Sequence, residues 1–243
     1  MSMEELIRMH ELRTDNDKVN TGIPGLDDLL EGGLIKRASV LLRGKAGTGK
    51  TIFAMHYLVH GANNNEPGVL LSMEEKKEDL YREGAKFGWD LEALEDDNRI
   101  AIIERQVSYG KTIHELESIA HRINAKRAVI DSVPAMFTSY PNELQVFEWR
   151  SAFNLLCQVL TENCGCTAIL ISEANWSKNF PFEEYVPKGV IELSDKMMEG
   201  RTMKFLLITK MRETRHSKSQ HLYEITHKGF TLFQQYKFKK RKN

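Results

Sequence analysis

The chain has 243 residues, of which 41% are hydrophobic and 28% are charged, as is usual for a globular protein with a sizeable core. Lysine plus arginine and aspartate plus glutamate are equal at 34 each, so no overall charge drives binding to nucleic acid or to a membrane surface. Three cysteines exclude a disulfide framework and show no metal-binding spacing, and no apolar run reaches membrane-spanning length. We therefore expect a reducing, cytoplasmic location.

The two ends of the chain are predicted to lie outside the folded domain. Residues 1–17 mix charges without an apolar centre, which argues against a signal peptide and indicates a short amphipathic or disordered lead. Residues 237–243 form a basic tail, which is either a solvated terminus or a contact for nucleic acid or an acidic partner. Residues 18–236 contain no internal repeat or low-complexity linker, and we predict that they form one domain.

Strands and helices are predicted to alternate along most of the chain. After a short helical turn near Asp27, apolar runs bounded by turn signals predict strands at 38–42, 69–72, 100–103, 128–131 and 167–172. Apolar residues at helical spacing predict intervening helices from Ile52 to Gly61, over 75–87, from Ile113 to Ile123 and from Phe153 to Leu160. Residues 88–98 are predicted to be a turn-rich connection. This alternation is typical of an α/β fold, a mostly parallel sheet with helices on both faces.

The pattern changes after residue 188. Strands are predicted at 189–193, 205–210, 222–226 and 230–233 without helices between them, and Lys228-Gly229 is predicted to be a hairpin turn. We expect these C-terminal strands to be antiparallel and to extend one edge of the sheet.

The strongest motif is Gly44-Lys45-Ala46-Gly47-Thr48-Gly49-Lys50-Thr51, between a predicted strand and a predicted helix. A glycine-rich loop in this context is typical of a P-loop, whose backbone N–H groups and following helix N-terminus bind phosphate. Lys50 would contact the β- and γ-phosphates, and the Thr51 hydroxyl would be a ligand of Mg²⁺. The alternative is a glycine-rich turn that matches by chance, which the complete pattern disfavours. We predict that the protein binds a nucleoside triphosphate.

Acidic residues at strand ends suggest hydrolysis. Asp131 ends a predicted strand, where a Walker B acid would hold Mg²⁺ directly or through water, although an acid capping the next turn is the alternative. Glu74 and Glu75 follow the strand at 69–72, at the edge where parallel sheets bind ligands. One of them could activate a water and the other orient it, or both could simply favour the start of a helix.

Two basic residues lie at the end of a late strand. Lys210 and Arg212 are two positions apart, so both project from one side of an extended chain. Exposed cations of this kind are usually solvated. The alternative is that they enter another subunit's nucleotide site, where an arginine can raise the rate about 10³–10⁵-fold.

Several motifs in one order resemble the KaiC-like branch of the RecA/RadA ATPase superfamily. They are TGIPGLDDLLEGGL, GKAGTGKT, LSMEE, AVIDS and KMRETRH, and the resemblance runs from about Lys18 to about Phe233. It implies a RecA-type P-loop NTPase fold, binding of ATP and ADP with Mg²⁺, and a homo-oligomeric ring, commonly a hexamer, with ATP between subunits.

The resemblance also implies roles for individual residues. Glu74 and Glu75 correspond to the catalytic glutamates, and Asp131 corresponds to the Walker B acid. Lys210 and Arg212 correspond to basic residues that contact the γ-phosphate held by the neighbouring subunit.

Two further positions complete the correspondence. His216 lies on the loop that follows Arg212, and Ser172 corresponds to a small polar sensor of the nucleotide after a strand. The chain departs from the circadian clock protein, which has two such domains in tandem and a phosphorylated Ser/Thr cluster in the second, so no clock or autokinase role is expected. Lys45-Ala46 replaces the commoner Glu-Pro, which should leave the phosphate site intact.

Three functions follow from these motifs. The first is an ATP hydrolase whose turnover is coupled to conformational change in a ring. The second is a recombinase-like paralogue that binds single-stranded DNA through loops 133–144 and 174–188, whose aromatic and basic residues could stack on bases; these residues are Phe137, Tyr140, Trp176, Lys178, Phe180 and Lys188. Packing of these loops against a neighbouring subunit is the alternative. The third is a slow ATP-dependent switch that recruits a protein partner.

Overall fold

The structure, a computed structural model, describes residues 18–106, 108–139, 148–174, 182–198 and 200–233. Its strands are β1 (Lys18–Val19), β2 (Leu34–Ile35), β3 (Ser39–Gly44), β4 (Gly68–Ser72), β5 (Ile100–Glu104), β6 (Arg127–Asp131), β7 (Thr167–Glu173), β8 (Gly189–Met198), β9 (Arg201–Met211), β10 (His221–Thr226) and β11 (Gly229–Phe233). Its helices are α1 (Leu26–Leu29), α2 (Lys50–Asn63), α3 (Lys77–Ala85), α4 (Leu91–Asp96), α5 (Tyr109–Arg122), α6 (Val133–Thr138), α7 (Trp149–Gln158) with a π-helical continuation (Val159–Asn163), and α8 (Phe182–Tyr185). The predicted lead, residues 1–17, and the basic tail, residues 237–243, lie outside the described residues, so both boundaries stay predictions.

One large sheet organises the described residues. It has nine strands in the order β11-β10-β9-β8-β3-β7-β6-β4-β5, and β1 pairs with β2 in a separate two-stranded sheet. The strands from β8 to β5 pair in parallel, whereas β9, β10 and β11 pair antiparallel. The predicted α/β architecture, a mostly parallel sheet extended by antiparallel C-terminal strands, is confirmed.

The direction of β8 differs from the prediction. We expected every C-terminal strand to be antiparallel, but β8 pairs in parallel with β3, from Val40 opposite Gly189 to Gly44 opposite Leu193. The chain returns to the amino edge of the sheet between β7 and β8 through a segment whose described helix is only four residues long, α8. The sequence pattern therefore lacked the long apolar periodicity that usually indicates such a crossover.

Helices cover both faces of the sheet. On one face α1, α2, α3 and α4 pack against the strands, and on the other α5, α6 and α7 do so. The central strands β3, β4 and β6 are buried along nearly their whole length, as expected for parallel strands between two helical layers. Among the described helices, none has the length and apolarity needed to cross a membrane.

The helix after the P-loop ends later than predicted. We expected Gly61 to terminate it, but α2 continues to Asn63. A Cβ at Gly61 would lie 2.3 Å from Cδ of Arg127, which is buried and donates to the Tyr57 carbonyl at 2.8 Å and to Glu66. Gly61 is therefore present because a side chain passes close to the helix.

The prediction of a turn-rich connection over residues 88–98 was wrong for its centre, which is α4. The Asp90 carboxylate caps this helix by accepting the N–H of Ala93 at 3.0 Å. Leu91 and Leu94 are buried, so the helix is stabilised by packing rather than by a long apolar stripe.

Candidate functional site

The P-loop motif forms a tight turn at the carboxyl end of β3. β3 ends at Gly44 and α2 begins at Lys50, so the loop connects a strand directly to a helix N-terminus. Gly49 has a φ of 91°, and a Cβ there would also lie 2.3 Å from Cδ1 of Ile225. Gly47 has a φ of 77°, a left-handed conformation that glycine adopts without strain, and there is open space where a Cβ would be.

Lys50 lies over this loop. Its Nζ donates to the carbonyls of Gly44 at 2.9 Å and Lys45 at 3.1 Å. The Thr48 hydroxyl donates to the same Lys45 carbonyl at 2.8 Å, which closes the turn. Burial lowers the pKa of Lys50, and the negative charges of Asp131, Glu173 and Glu74 oppose that effect. The ammonium therefore stands where several acidic groups and the loop converge.

The two predicted metal-binding residues are in contact. The Thr51 hydroxyl donates to Oδ2 of Asp131 at 2.7 Å, although the residues are 80 positions apart. Burial raises the pKa of Asp131, and the hydrogen bond from Thr51 and the charge of Lys50 lower it. A hydroxyl beside a carboxylate is a donor set that suits Mg²⁺, which takes one or two protein oxygens together with phosphate oxygens and water. The residues present fit the metal.

A cleft of about 340 Å³ lies beside this pair. The predicted residues that line it are Ala46, Gly47, Gly49, Lys50, Thr51, Glu74, Glu75 and Asp131. Gly44, Lys45 and Thr48 belong to the loop without lining the cleft, and Thr48 is buried beneath it.

Glu74 and Glu75 lie in the turn between β4 and α3, not in the helix. The Ser72 hydroxyl donates to the Glu75 carbonyl at 2.6 Å, and the Met73 N–H donates to the Asp131 carbonyl at 2.7 Å, so this turn is tied to the end of β6. Burial raises the pKa of Glu75, and the charges of Glu83 and Asp131 add to the effect. Because α3 begins at Lys77, the alternative that both acids start a helix is not what the structure shows.

Seven residues that line the cleft were not predicted as site residues. Glu83 on α3, Glu173 at the end of β7 and Ile225 on β10 are three of them, and the others are Ile52, Ser72, Ser132 and Ile171. Because Ser172 was predicted to face the nucleotide, strand alternation would have placed its neighbour Glu173 on the other face, and Glu173 was missed. Glu83 and Ile225 are brought in by the packing of distant elements, for which the sequence carries no local signal.

Side chains of the antiparallel strands β9 and β10 contact the P-loop. Lys204 on β9 donates from Nζ to the Gly47 carbonyl, and the Tyr223 hydroxyl on β10 donates to the Thr48 carbonyl at 2.7 Å. With Ile225 against Gly49, three side chains of the C-terminal strands contact the loop. These strands therefore form part of the site.

Ser172 differs from its predicted role. We expected it to sense the nucleotide, but its side chain does not line the cleft. Its hydroxyl donates to Oε2 of the buried Glu183 at 2.8 Å, on the opposite face of the sheet from the cleft. The alternation of β7 presents its neighbour Glu173 to the cleft instead.

Lys210, Arg212 and His216 do not line the cleft of their own chain. Lys210 pairs with Val190, which in turn pairs with Leu41 near the start of β3, about 10 Å along the strand from Gly44. Its Nζ donates to the carbonyls of Glu184 at 2.7 Å, Tyr185 at 3.2 Å and Pro187 at 2.6 Å, and Arg212 Nη2 donates to the Tyr185 carbonyl at 3.2 Å. Burial lowers the pKa of Lys210, and the charge of Arg212 lowers it further. The ring of His216 contacts the Thr214 carbonyl at 3.3 Å.

Phe137 is not available for stacking on bases. It is fully buried in α6, where its ring stacks on Trp149 with centroids 5.7 Å apart. Lys188 forms an ion pair with Glu213 at 3.0 Å. The remaining predicted contacts, Tyr140, Trp176, Lys178 and Phe180, lie outside the residues that the structure describes.

The family described as the KaiC ATPase matches residues 19–237. A UPF0273 protein of Aeropyrum pernix is 34% identical over 89% of this chain and 94% of its own length. The circadian clock oscillator protein KaiC of Prochlorococcus marinus is 32% identical over 89% of this chain, which spans 45% of that protein. The crystal structure of a KaiC-like protein of Pyrococcus horikoshii superposes with a TM-score of 0.80 at 37% identity, covering 89% of this chain and 98% of the other.

Proposed function

Because this chain belongs to the KaiC family of ATPases, we propose that it binds ATP with Mg²⁺ in the cleft beside Lys50 and hydrolyses it. The observation that carries the proposal is the contact of 2.7 Å between Thr51 and Asp131, at the edge of a cleft that Lys50 and two glutamates also line. Thr51 and Asp131 would hold Mg²⁺, which when bound would neutralise negative charge on the phosphates.

Different residues of the cleft would bind the phosphates, hold the metal and act on the attacking water. The P-loop N–H groups and Lys50 would bind the phosphates, and Thr51 and Asp131 would hold the metal. Glu74 and Glu75 line the same cleft, within which a carboxylate can orient or deprotonate the attacking water. Burial raises the pKa of Glu75, which makes its carboxylate a stronger base.

Phosphate release from ATP, measured with Mg²⁺ present or chelated, tests the proposal. Lys50→Ala should abolish release and weaken nucleotide binding, whereas Lys86→Ala, which removes an exposed lysine at the end of α3, should change neither. Glu74→Gln and Glu75→Gln, made separately, should keep nucleotide binding, and the variant that removes the base should lose about 10²–10⁴ in kcat. Release that persists in Lys50→Ala would reject the cleft as the hydrolytic site.

The proposed assembly is a ring in which Lys210 and Arg212 act on a neighbour's nucleotide, with His216 on the same loop. Its support is the position of these residues, which lie away from the cleft of their own chain, while Lys50 is the only lysine among the described residues that line that cleft. Single-stranded DNA is the second candidate ligand, and the burial of Phe137 does not favour it.

A further inference from the structure

The short helix α8 holds the two cations that the proposed ring requires. Three carbonyls at its end and in the following turn accept hydrogen bonds from Lys210, and one of them also accepts from Arg212. The last carbonyls of a helix have no partner within the helix and carry partial negative charge, so they bind cations well. The direction in which both side chains leave the sheet therefore depends on where α8 lies.

The side chains of α8 contact the ends of two central strands, on the face of the sheet opposite the cleft. Glu184 forms an ion pair with Arg43, which also pairs with Glu192 at 2.9 Å. Arg43 immediately precedes Gly44, the first residue of the P-loop. Glu183 accepts the hydroxyl of Ser172 at 2.8 Å. α8 is thus attached to the ends of β3, which leads into the phosphate-binding turn, and of β7, which pairs with β3 in the sheet.

A backbone contact joins the same two strand ends. The Gly44 carbonyl accepts both Nζ of Lys50 at 2.9 Å and the N–H of Ala174 at 3.3 Å. Ala174 follows Glu173, which lines the cleft. Arg43 directly precedes Gly44, and Ser172 directly precedes Glu173, so the residues that contact α8 are the chain neighbours of residues at the cleft.

Glu183 is a costly residue for a purely structural purpose. Its side chain is fully buried, and its Oε1 has no hydrogen-bond partner among the residues that the structure describes. Burying a carboxyl oxygen without a partner destabilises a fold, and an apolar side chain of similar size would avoid that cost. A polar residue here is better explained by a need to fix the position of α8.

We propose that α8 is the positioning element for Lys210 and Arg212, held from the P-loop side by Arg43 through Glu184 and by Ser172 through Glu183. The proposal rests on the proposed function, because it requires that Lys210 act on a neighbouring subunit's nucleotide. In it, Glu183 and Glu184 are positioning residues that touch no nucleotide, and they connect one subunit's cleft to the next.

The first test is Glu184→Ala, which removes the contact with Arg43 and leaves the cleft intact. It should lower kcat about ten- to a hundredfold, as expected for a displaced catalytic group. KM and the affinity for a fluorescent ATP analogue should stay within about twofold, because ground-state binding is unaffected. The matched control is Glu117→Ala on α5, which removes an exposed contact with Asn163 and should leave both quantities unchanged.

Mixed assemblies show on which subunit the defect acts. Lys50→Ala and Lys210→Ala, each inactive alone, should restore turnover when mixed, because one supplies the cleft and the other supplies the cation. Lys50→Ala mixed with Glu184→Ala should restore it too. The double variant Lys50→Ala/Glu184→Ala mixed with Lys210→Ala should not, because neither subunit then carries both an intact Lys210 and an intact α8.

These outcomes separate the two proposals. If the first mixture stays inactive, the action of Lys210 on a neighbour is wrong and the role of α8 is rejected with it. If the first mixture is active but the double variant also restores turnover, or Glu184→Ala keeps full activity, only the role of α8 is rejected. Should Glu184→Ala fail to fold, Glu184→Gln, which keeps the side-chain size and removes the charge, replaces it in every mixture.

Discussion

The Thr51 hydroxyl has two roles: it donates a hydrogen bond to Asp131, and it would be a metal ligand. We expect Thr51→Val, which keeps the shape and removes the oxygen, to raise the Mg²⁺ concentration for half-maximal ATP hydrolysis at least about tenfold. Thr51→Ser restores the hydroxyl and should return that concentration to near the wild-type value. The measurement is phosphate release at fixed ATP with Mg²⁺ varied.

A change in maximal rate alone, with the same Mg²⁺ dependence in Thr51→Val, would contradict a role in metal binding. Equal behaviour of Thr51→Ser and Thr51→Val would show that shape rather than the hydroxyl matters at this position.

Glu183 gives a pH-dependent contribution to stability whose sign is fixed. Burial raises its pKa from 4.5 to about 7; the hydrogen bond from Ser172 and the charge of Arg43 oppose this, and the charge of Glu184 adds to it. A group whose pKa is raised by folding stabilises the fold fully below the unfolded pKa, and this contribution is lost as pH rises through the folded value. Between pH 4.5 and about 8 the wild type should therefore lose about 3 kcal/mol that Glu183→Gln does not lose.

Denaturant unfolding of both proteins across this pH range measures the difference. The free energy of unfolding of Glu183→Gln relative to the wild type should rise with pH. A relative free energy that falls with pH would mean that Glu183 is stabilised in its charged form.

Among the elements, α2 offers a test in which local preference and packing disagree. Alanine is favoured over glycine within a helix by about 0.5–1 kcal/mol. At Gly61, however, a Cβ would lie 2.3 Å from Arg127, whose side chain is buried. Gly61→Ala should therefore lower the free energy of unfolding by about 1–3 kcal/mol.

Gly110→Ala on α5 is the matched control, because a Cβ there meets nothing within 4 Å. It should be neutral or stabilising by up to about 1 kcal/mol. Thermal or denaturant unfolding of both variants gives the comparison, and equal effects would show that Arg127 adjusts freely.

Some strands and helices could be predicted from the sequence alone, and others could not. The central strands and the P-loop could be predicted because their signals are local: continuous apolar runs for β3, β4 and β6, and a contiguous motif for the loop. The parallel direction of β8 could not be predicted, because it depends on an unusual crossover. The helix α4 could not be predicted either, because it depends on the burial of Leu91 and Leu94.

Some residues of the candidate site could likewise be predicted from local motifs, and others could not. Thr51 and Asp131 were predicted from motifs, and their contact follows from the meeting of parallel strand ends at one edge. Glu83 and Ile225 enter the cleft only through tertiary packing. Ser172 was assigned to the nucleotide although it faces Glu183, because a motif match specifies a position along a strand but not its face.

At the scale of the whole molecule, the distance between Lys210 and the cleft of its own chain predicts assembly. We expect the mass in solution to increase to that of a homo-oligomer when ATP and Mg²⁺ are added. Lys210→Ala should keep nucleotide binding and lose turnover, by up to about 10³-fold if it stabilises the transition state. Light scattering after size exclusion, with and without ATP, is the measurement.

A monomer at every ATP concentration that still hydrolyses ATP would rule out action on a neighbour. Lys188→Ala serves as the control, because it removes an exposed ion pair with Glu213 near the same cations and should leave assembly unchanged.

The strand β9 carries a lysine at each end of its path. Lys204 contacts the P-loop of its own chain, and Lys210, six residues or about 20 Å later, donates to the Glu184 carbonyl and is the residue proposed to act on a neighbour's nucleotide. In a closed ring every β9 strand would contact two consecutive nucleotide sites. Each nucleotide site would then be linked to the next one around the whole ring. One defective subunit would then inactivate two nucleotide sites, so ATPase activity would fall faster than the fraction of intact subunits.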